Sequence, residues 1–251
     1  PSYNTGGALL AATVDDVLAA SVCDVIVFID GSDDDSAAVL YARYSGNGRV
    51  RVMASPENRG KGRAVVDAAK AALKAGYTHA CVFDSDGQHA AADIDRFFRI
   101  AAADESALVM GVPIFGPDAP PERVKGRRVG NTFAKIETLW LGPEDSLYGM
   151  RIYPLAALVD AMSGLWRSFR FEFDTEAAVR MVWAGARPVN VRTSVRYPPK
   201  DEGGVTHFKY LQDNLRLIVL HTRLLIETPF RVPGFLLRRR RADHQHGKDA
   251  A

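Results

Sequence analysis

Val25-Ile26-Val27-Phe28-Ile29-Asp30-Gly31-Ser32-Asp33-Asp34 and Ala80-Cys81-Val82-Phe83-Asp84-Ser85-Asp86-Gly87-Gln88-His89 share one plan, an apolar run that stops abruptly in Gly and Asp. Runs of Val, Ile and Phe bounded in this way predict buried strands of a parallel sheet. In open α/β sheets, ligands bind just beyond the carboxyl ends of such strands. Both sets of carboxylates are therefore expected to face one crevice. An Asp-x-Asp pair there is oxygen-rich and suits a hard divalent cation, which can in turn hold a diphosphate.

Working outward, Leu9 to Leu18 reads as a helix before the first run, and a second helix is expected from Asp35. Val50 to Met53 is a short strand. Gly62 to Ala75 is Ala-rich without a breaker, a strong helix by propensity, and Gly76 follows as its stop. A strand over Thr78 to Phe83, a helix over Asp93 to Ala103 and a strand over Ala107 to Met110 come next. Alternation of this kind specifies a parallel sheet with helical crossovers. After a Pro/Gly-rich loop at Gly116 to Pro121, Arg123 to Leu141 reads as a basic, then amphipathic helix. Leu147 to Tyr153 and Pro188 to Tyr197 are expected as later strands, with a second loop at Pro198 to Gly204. Leu211 to Glu227 is helical with a broad apolar face, and Pro229, Pro233 and Gly234 predict its end. Beyond Ala242 the composition predicts disorder.

The chain of 251 residues is 47% hydrophobic and 25% charged, as an ordinary globular protein is. Its net charge of +2 is unevenly placed. From His207 to Arg241 eight basic residues stand against Asp213 and Glu227, so a basic tail follows a mildly acidic body. Cys23 and Cys81 lack any CxxC or His/Cys cluster and read as small core residues in a reducing compartment. No signal peptide is visible, and no apolar run reaches the 18 or so residues that a spanning helix needs.

Pro1-Ser2-Tyr3-Asn4, Asp30-Gly31-Ser32, Asn58-Arg59-Gly60-Lys61-Gly62 and Asp84-Ser85-Asp86-Gly87-Gln88-His89 fall in an order and spacing that resembles the family 2 glycosyltransferases. The nearest likeness is to the polyprenyl-phosphate, dolichol-phosphate-mannose-synthase-like branch. It continues through Asp145, Gly149-Met150-Arg151 and Glu176 to Gly204-Val205-Thr206-His207. His207 to Leu225 also resembles, locally, glycosyltransferases of bacterial aryl-polyene gene clusters. The resemblance implies a GT-A-like, Rossmann-related α/β fold, with a mostly parallel sheet flanked by helices and a C-terminal helical basic extension. The expected division is a glycosyltransferase domain over 1–206, an amphipathic and basic membrane-surface segment over 207–241, and a disordered tail over 242–251. Relatives place a strand just before the Pro-x-Tyr-Asn turn. Its lack here predicts open ladder edges on both neighbouring strands, and an earlier start for the full-length protein.

The same resemblance assigns roles. Asp84, Asp86 and Gln88 are the expected ligands of Mg²⁺ or Mn²⁺, with Asp86 first and Asp84 on the metal or the ribose. Pro1, Tyr3, Asn4, Asp30, Lys61 and Asp84 match nucleotide-sugar contacts. Ile29 stands where many members carry a second acid before Gly-Ser, which leaves the donor base open. Asp33 to Asp35 read mainly as acids at a helix N-terminus. Asn58 to Gly62 is open to two readings, a helix-opening turn or a phosphate contact through backbone N–H groups. Asp145, with Asp86, is a catalytic candidate. It would deprotonate a hydroxyl acceptor, whereas a lipid phosphate is already ionised and needs no base. A structural role for Asp145 stays equally open, and Glu144 is its rival. Arg127, Arg128, Arg151 and His207 match the acceptor-phosphate side, although Arg127 and Arg128 also suit a solvated helix face. Glu176, in an apolar helical context, is expected to pair with a core arginine.

The expected activity is metal-dependent, inverting transfer of a sugar from a UDP- or GDP-sugar to a lipid or lipid-linked acceptor such as polyprenyl phosphate. The basic tail suits an anionic membrane surface, so the expected location is cytoplasmic and peripheral at the inner face of the cell membrane. Nucleic acid is not expected, since no aromatic interleaving accompanies the basic residues. Two alternatives remain, a nucleotidyltransferase that forms nucleotide sugars and a catalytically inactive, nucleotide-binding glycosyltransferase-like protein.

Overall fold

Six strands and their helices carry the chain through an α/β arrangement, described by a computed structural model over residues 1–116, 121–165, 167–195 and 210–249. The first unit holds α1 (Gly7–Ala20), β1 (Val25–Asp30), α2 (Ser36–Arg43) and β2 (Val50–Ser55). β1 and β2 pair in parallel, with Val25 opposite Val50 and Asp30 opposite Ser55. Leu10 and Val14 of α1 and Leu40 of α2 close over Val27 and Ile29 to form a compact core. The acids that follow β1 cap the neighbouring helix. Asp34 accepts from the Gly6 N–H at 2.8 Å and Asp35 from the Gly7 N–H at 2.8 Å.

The second sheet runs in the order β3, β5, β4, β6, from His79–Val82, Arg151–Pro154, Ala107–Ile114 and Arg187–Ser194. β4 and β6 are parallel, while β5 lies antiparallel to both β3 and β4. The alternating pattern does not carry that reversal. β4 is buried from Ala107 to Pro113, as a central strand covered on both faces must be. On one face pack α3 (Lys61–Lys74), α6 (Leu155–Ala161) and α7 (Phe173–Ala184), with Val66, Leu108, Met110, Leu158 and Phe173 in the main core. On the other lies α4 (Ile94–Ala103), whose Ile94 and Phe97 meet Val109 and Ile152. Gly62 is a packing requirement, because a Cβ there would lie 2.5 Å from the Phe173 ring.

β1 and β3 do not pair. Their facing edges border an apolar cavity of about 280 Å³, lined by Val25 to Phe28, Ala80 to Phe83 and parts of α1 and α3. Among the described residues only Ser2 enters the ladder, accepting from the Asp30 N–H and donating to the Phe28 carbonyl, each at 2.8 Å.

α5 (Pro121–Glu137) and α8 (Tyr210–Asp249) pack on α7, through Ala134, Val179, Trp183, Leu220 and Leu224. Two expectations are corrected here. α8 does not stop at Pro229, since one helix continues to Asp249. Both internal prolines sit on the exposed side, where solvent can satisfy the carbonyls that lose their donors. The strand expected from Leu147 begins only at Arg151. The Gly116 to Pro121 loop is described only at its ends, and the Pro198 to Gly204 loop and His207 lie outside the described residues.

Candidate functional site

Asp30 ends β1 almost fully buried, and its carboxylate turns to backbone rather than to solvent. It accepts from the Arg59 N–H at 3.1 Å and the Gly60 N–H at 2.7 Å. That pins the Asn58 to Lys61 turn at the start of α3. Gly60 has φ +96°, and a Cβ there would meet the Phe169 carbonyl at 2.3 Å, so the turn requires glycine. Asn4 ties the same region from the other side. Its side-chain oxygen accepts from the Asp33 N–H at 3.0 Å, and its own N–H donates to Ser32. Pro1 is tied in as well, its carbonyl accepting from the Ser85 hydroxyl at 3.2 Å. Tyr3 stands half-buried between Ser2 and Asn4.

At the centre stands Lys61. Its ammonium lies 2.8 Å from Asp84 Oδ1 and 2.7 Å from Asp174 Oδ2. Burial pulls this ammonium down, but the carboxylates of Asp174 and Asp84 outweigh it and hold it above its usual range. Burial pushes Asp84 up, yet Lys61 and then His89 outweigh that and keep it far below the usual carboxylate range. Gly149 passes directly beneath, where a Cβ would lie 2.1 Å from Asp84 Oδ2 and 2.9 Å from Lys61 Nζ. His89 Nε2 sits 3.3 Å from Asp84, with its ring wedged edge-on between Phe83 and Tyr148. Asp174 is not singled out by the sequence, and His89 stands there only as the end of its motif, with no role assigned. Phe171-Glu172-Phe173-Asp174-Thr175-Glu176, with acids inside an apolar run, is the signal that could have found Asp174.

Asp86 is different. Its Oδ1 accepts from the Gln88 N–H at 3.1 Å, an Asx turn closed at Gly87 with φ +72°. Burial and then the Asp84 charge raise this carboxyl above its ordinary value. Asp86 is thus a carboxylate that a cation would relieve. Among the described residues no group of three or more His, Cys, Asp or Glu is gathered as a metal cage. A small hard cation needs no such cage, since it keeps waters and takes substrate phosphates alongside one or two carboxylates. Asp86 and Gln88, with Asp84 beside them, fit that demand.

Asp145 is buried and takes three hydrogen bonds. It accepts from Arg127 at 2.8 Å, the Leu147 N–H at 2.9 Å and Asn131 at 3.2 Å. Those bonds hold α5 against the segment before β5. Arg127 also lies over the Phe115 ring, while Arg128 is exposed on the same helix. Arg151 is a correction. It is fully buried, donates to the carbonyls of Tyr148 and Asp174, and braces the core where no acceptor phosphate reaches. Glu176 does pair with core arginines, Arg180 and Arg223, each at 2.6 Å.

The arrangement is a crevice at the carboxyl ends of β1 and β3, stitched from Asp30 through Gly60 and Lys61 to Asp84, with Asp86 at its edge. The family model described as glycosyl transferase family 2 matches residues 1–170. A UDP-N-acetylglucosamine–dolichyl-phosphate N-acetylglucosaminyltransferase of Methanococcus voltae is 27% identical over 171 residues, covering 62% of this chain and 68% of that one. Glucosyl-3-phosphoglycerate synthase of Mycobacterium tuberculosis, solved with Mn²⁺, UDP-glucose and glycerol 3-phosphate, superposes with a TM-score of 0.64. It is 16% identical and covers 91% of this chain and 77% of its own. A mannosyltransferase of Pyrobaculum calidifontis, solved with GDP-mannose and Mn²⁺, has a TM-score of 0.56 at 14% identity, covering 95% and 72%.

Proposed function

The chain belongs to glycosyltransferase family 2 and has a GT-A-like fold, and on that premise we propose that it moves a sugar from a nucleotide-sugar donor to a lipid phosphate, with a divalent cation and with inversion. The observation that carries the reading is the crevice where Asp84 is held ionised by Lys61 while Asp86, raised by burial and by the Asp84 charge, makes no ion pair among the described residues. Mg²⁺ or Mn²⁺, held by Asp86 and Gln88 with Asp84, would neutralise the charge that grows on the departing nucleoside diphosphate. Tyr3 offers a ring to the base. Asp30 keeps the Asn58 to Lys61 turn shut against the crevice, so the backbone N–H groups at the start of α3 are fixed in place.

Asp145 bears on the acceptor class. It is buried and held by Arg127, Asn131 and the Leu147 N–H, the setting of a carboxylate that anchors a helix rather than one turned to an acceptor hydroxyl. An acceptor phosphate, already ionised, needs no base. Its oxygen would attack the anomeric carbon as the bond to the donor phosphate breaks, with Arg127 and Arg128 on the acceptor side. The Methanococcus relative, named as a transferase onto dolichyl phosphate, supports the same class. UDP- and GDP-sugars are the donor candidates, after the ligands of the two solved transferases. The catalytic body is placed in 1–206, and the basic run Arg238 to Arg241 sets the protein peripherally on the cytoplasmic face of the membrane. Among the described residues no helix is long and apolar enough to cross it.

The test is incubation with labelled UDP- and GDP-sugars, Mn²⁺ and a short-chain polyprenyl phosphate. The expected product is an extractable glycolipid whose anomeric configuration is opposite to the donor's, and which is lost with chelator. Release of pyrophosphate instead would move the reading to nucleotidyl transfer. Absence of turnover and of nucleotide binding would make the chain an inactive relative.

A further inference from the structure

α8 is apolar on two opposite faces. Its inner face, with Leu220, Leu224 and Phe235, is buried against the body. Its outer face holds Leu215, Ile218, Val219, Ile226, Phe230 and Leu237, all more than half exposed, with Phe230 at 82%. At about 100° per residue these side chains fall in a single stripe about 120° wide and about 33 Å long. Thr222, Pro229 and Pro233 lie in the same stripe, and no charged residue does between Leu215 and Leu237. The solvent face of a helix ordinarily carries the charges, and a long uncharged stripe marks a surface that something covers.

We propose that this outer face of α8 is a bilayer-docking surface, lying flat on anionic lipid with its aliphatic side chains at the boundary between headgroups and acyl chains. The proposal rests on the lipid-acceptor reading above and assigns it a face. The charges beside the stripe choose the occupant. The two acids of this region are already engaged, Asp213 with Arg216 at 2.8 Å and Glu227 with Arg180 at 2.8 Å. Arg216 and Arg223 border one edge of the stripe, paired with Asp213 and Glu176, and beyond its end the sequence runs into the basic stretch Arg238 to Arg241. A second copy of this chain, packed through the same face, would set basic edge near basic edge. An anionic membrane meets both features, since amphipathic helices bind it through apolar burial and cationic flanks together.

Flotation of the full chain with phosphatidylglycerol/phosphatidylcholine vesicles tests the proposal. Wild type is expected to float. Ile226→Glu with Phe230→Glu should lose at least tenfold in binding, with an unchanged thermal midpoint because both side chains are exposed. Phe230→Trp should shift its emission to the blue when vesicles are added. Flotation of the double variant at wild-type level, or a Phe230→Trp signal that stays water-like, would overturn the docking face. So would a wild-type dimer that does not float and that the same double variant dissociates. Transfer to a short, water-soluble acceptor phosphate separates the two readings. If vesicle binding holds but no such transfer is seen, the lipid-acceptor reading fails and the docking surface stands.

Discussion

Lys61→Met takes away the ammonium that lies 2.8 Å from Asp84 and 2.7 Å from Asp174, and leaves two carboxylates facing each other. The side chains are 18%, 25% and 6% exposed, so little water can replace the lost charge. Removing one partner of a buried pair costs about 3–5 kcal/mol, because the other is left buried and uncompensated. For a chain of this size that is a fall of roughly 6–20 °C in thermal midpoint. The pH dependence has a definite sign. In the wild type the Asp84 carboxyl is held low, so its stabilisation is present above the unfolded carboxylate pKa of about 3.9 and is lost as pH falls through its lower folded value. Without Lys61, burial is left to raise the Asp84 carboxyl, so the variant gains stability as pH falls. The gap between the two proteins should be widest near neutrality and narrow towards pH 4. Lys61→Met with Asp174→Asn should recover a large part of the loss by removing the more buried charge. Urea unfolding from pH 4 to pH 8 reads all of this. A loss under about 1 kcal/mol, or a gap that does not change with pH, would refute the ion triad as the brace of the crevice.

Gly149→Ala drives a Cβ to 2.1 Å from Asp84 Oδ2, and should cost about 1–3 kcal/mol in urea unfolding and weaken nucleotide binding. Unchanged stability and affinity would show that the segment has room. Asp86→Asn should raise the ligand-free thermal midpoint by about 1–3 °C, since it removes a half-buried charge held beside Asp84. A fall would mean that the Asp86 charge is compensated. Asp145→Asn weakens the acceptors of Arg127 and Asn131, and is expected to cost about 1–3 kcal/mol. It should raise KM for the acceptor while leaving the acid limb of the pH–rate profile in place. Disappearance of that limb would restore Asp145 as a base.

The strands at β1, β3, β4 and β6 and the Ala-rich α3 are legible in the sequence because apolar runs and helix propensity are local properties. The reversed β5 is not, since strand direction follows from the path of the chain and leaves no mark on periodicity. α7 is legible only as an apolar helical context around Glu176. Residues Phe173 to Trp183 are all buried, so it has no polar face to mark its ends. α8 runs past its prolines because both stand on the outer side of a helix that packing holds together elsewhere. At the site, the right chemical groups are legible and their partners are not. Asp30, Asn4 and Asp145 read as ligands, and the fold spends their oxygens on nearby N–H groups. Lys61 reads as a phosphate contact, and its second carboxylate comes from Asp174, far along the chain. Arg151 sits beside a family-like glycine, but only the core around it reveals that it is sealed from ligand.

The central claim is that the crevice at Asp84 and Asp86 binds a nucleoside diphosphate through a cation. Thermal-shift titration of UDP, GDP, CDP and dTDP, each with Mn²⁺ and with chelator, tests it most directly on wild type and Asp86→Asn. A ligand at a hundred times its Kd stabilises by about 2.7 kcal/mol, or roughly 5–11 °C here. The account predicts such a rise with one nucleotide, dependent on Mn²⁺ and absent in Asp86→Asn. A rise of the same size with chelator, or in the variant, would contradict it, as would no rise with any of the four.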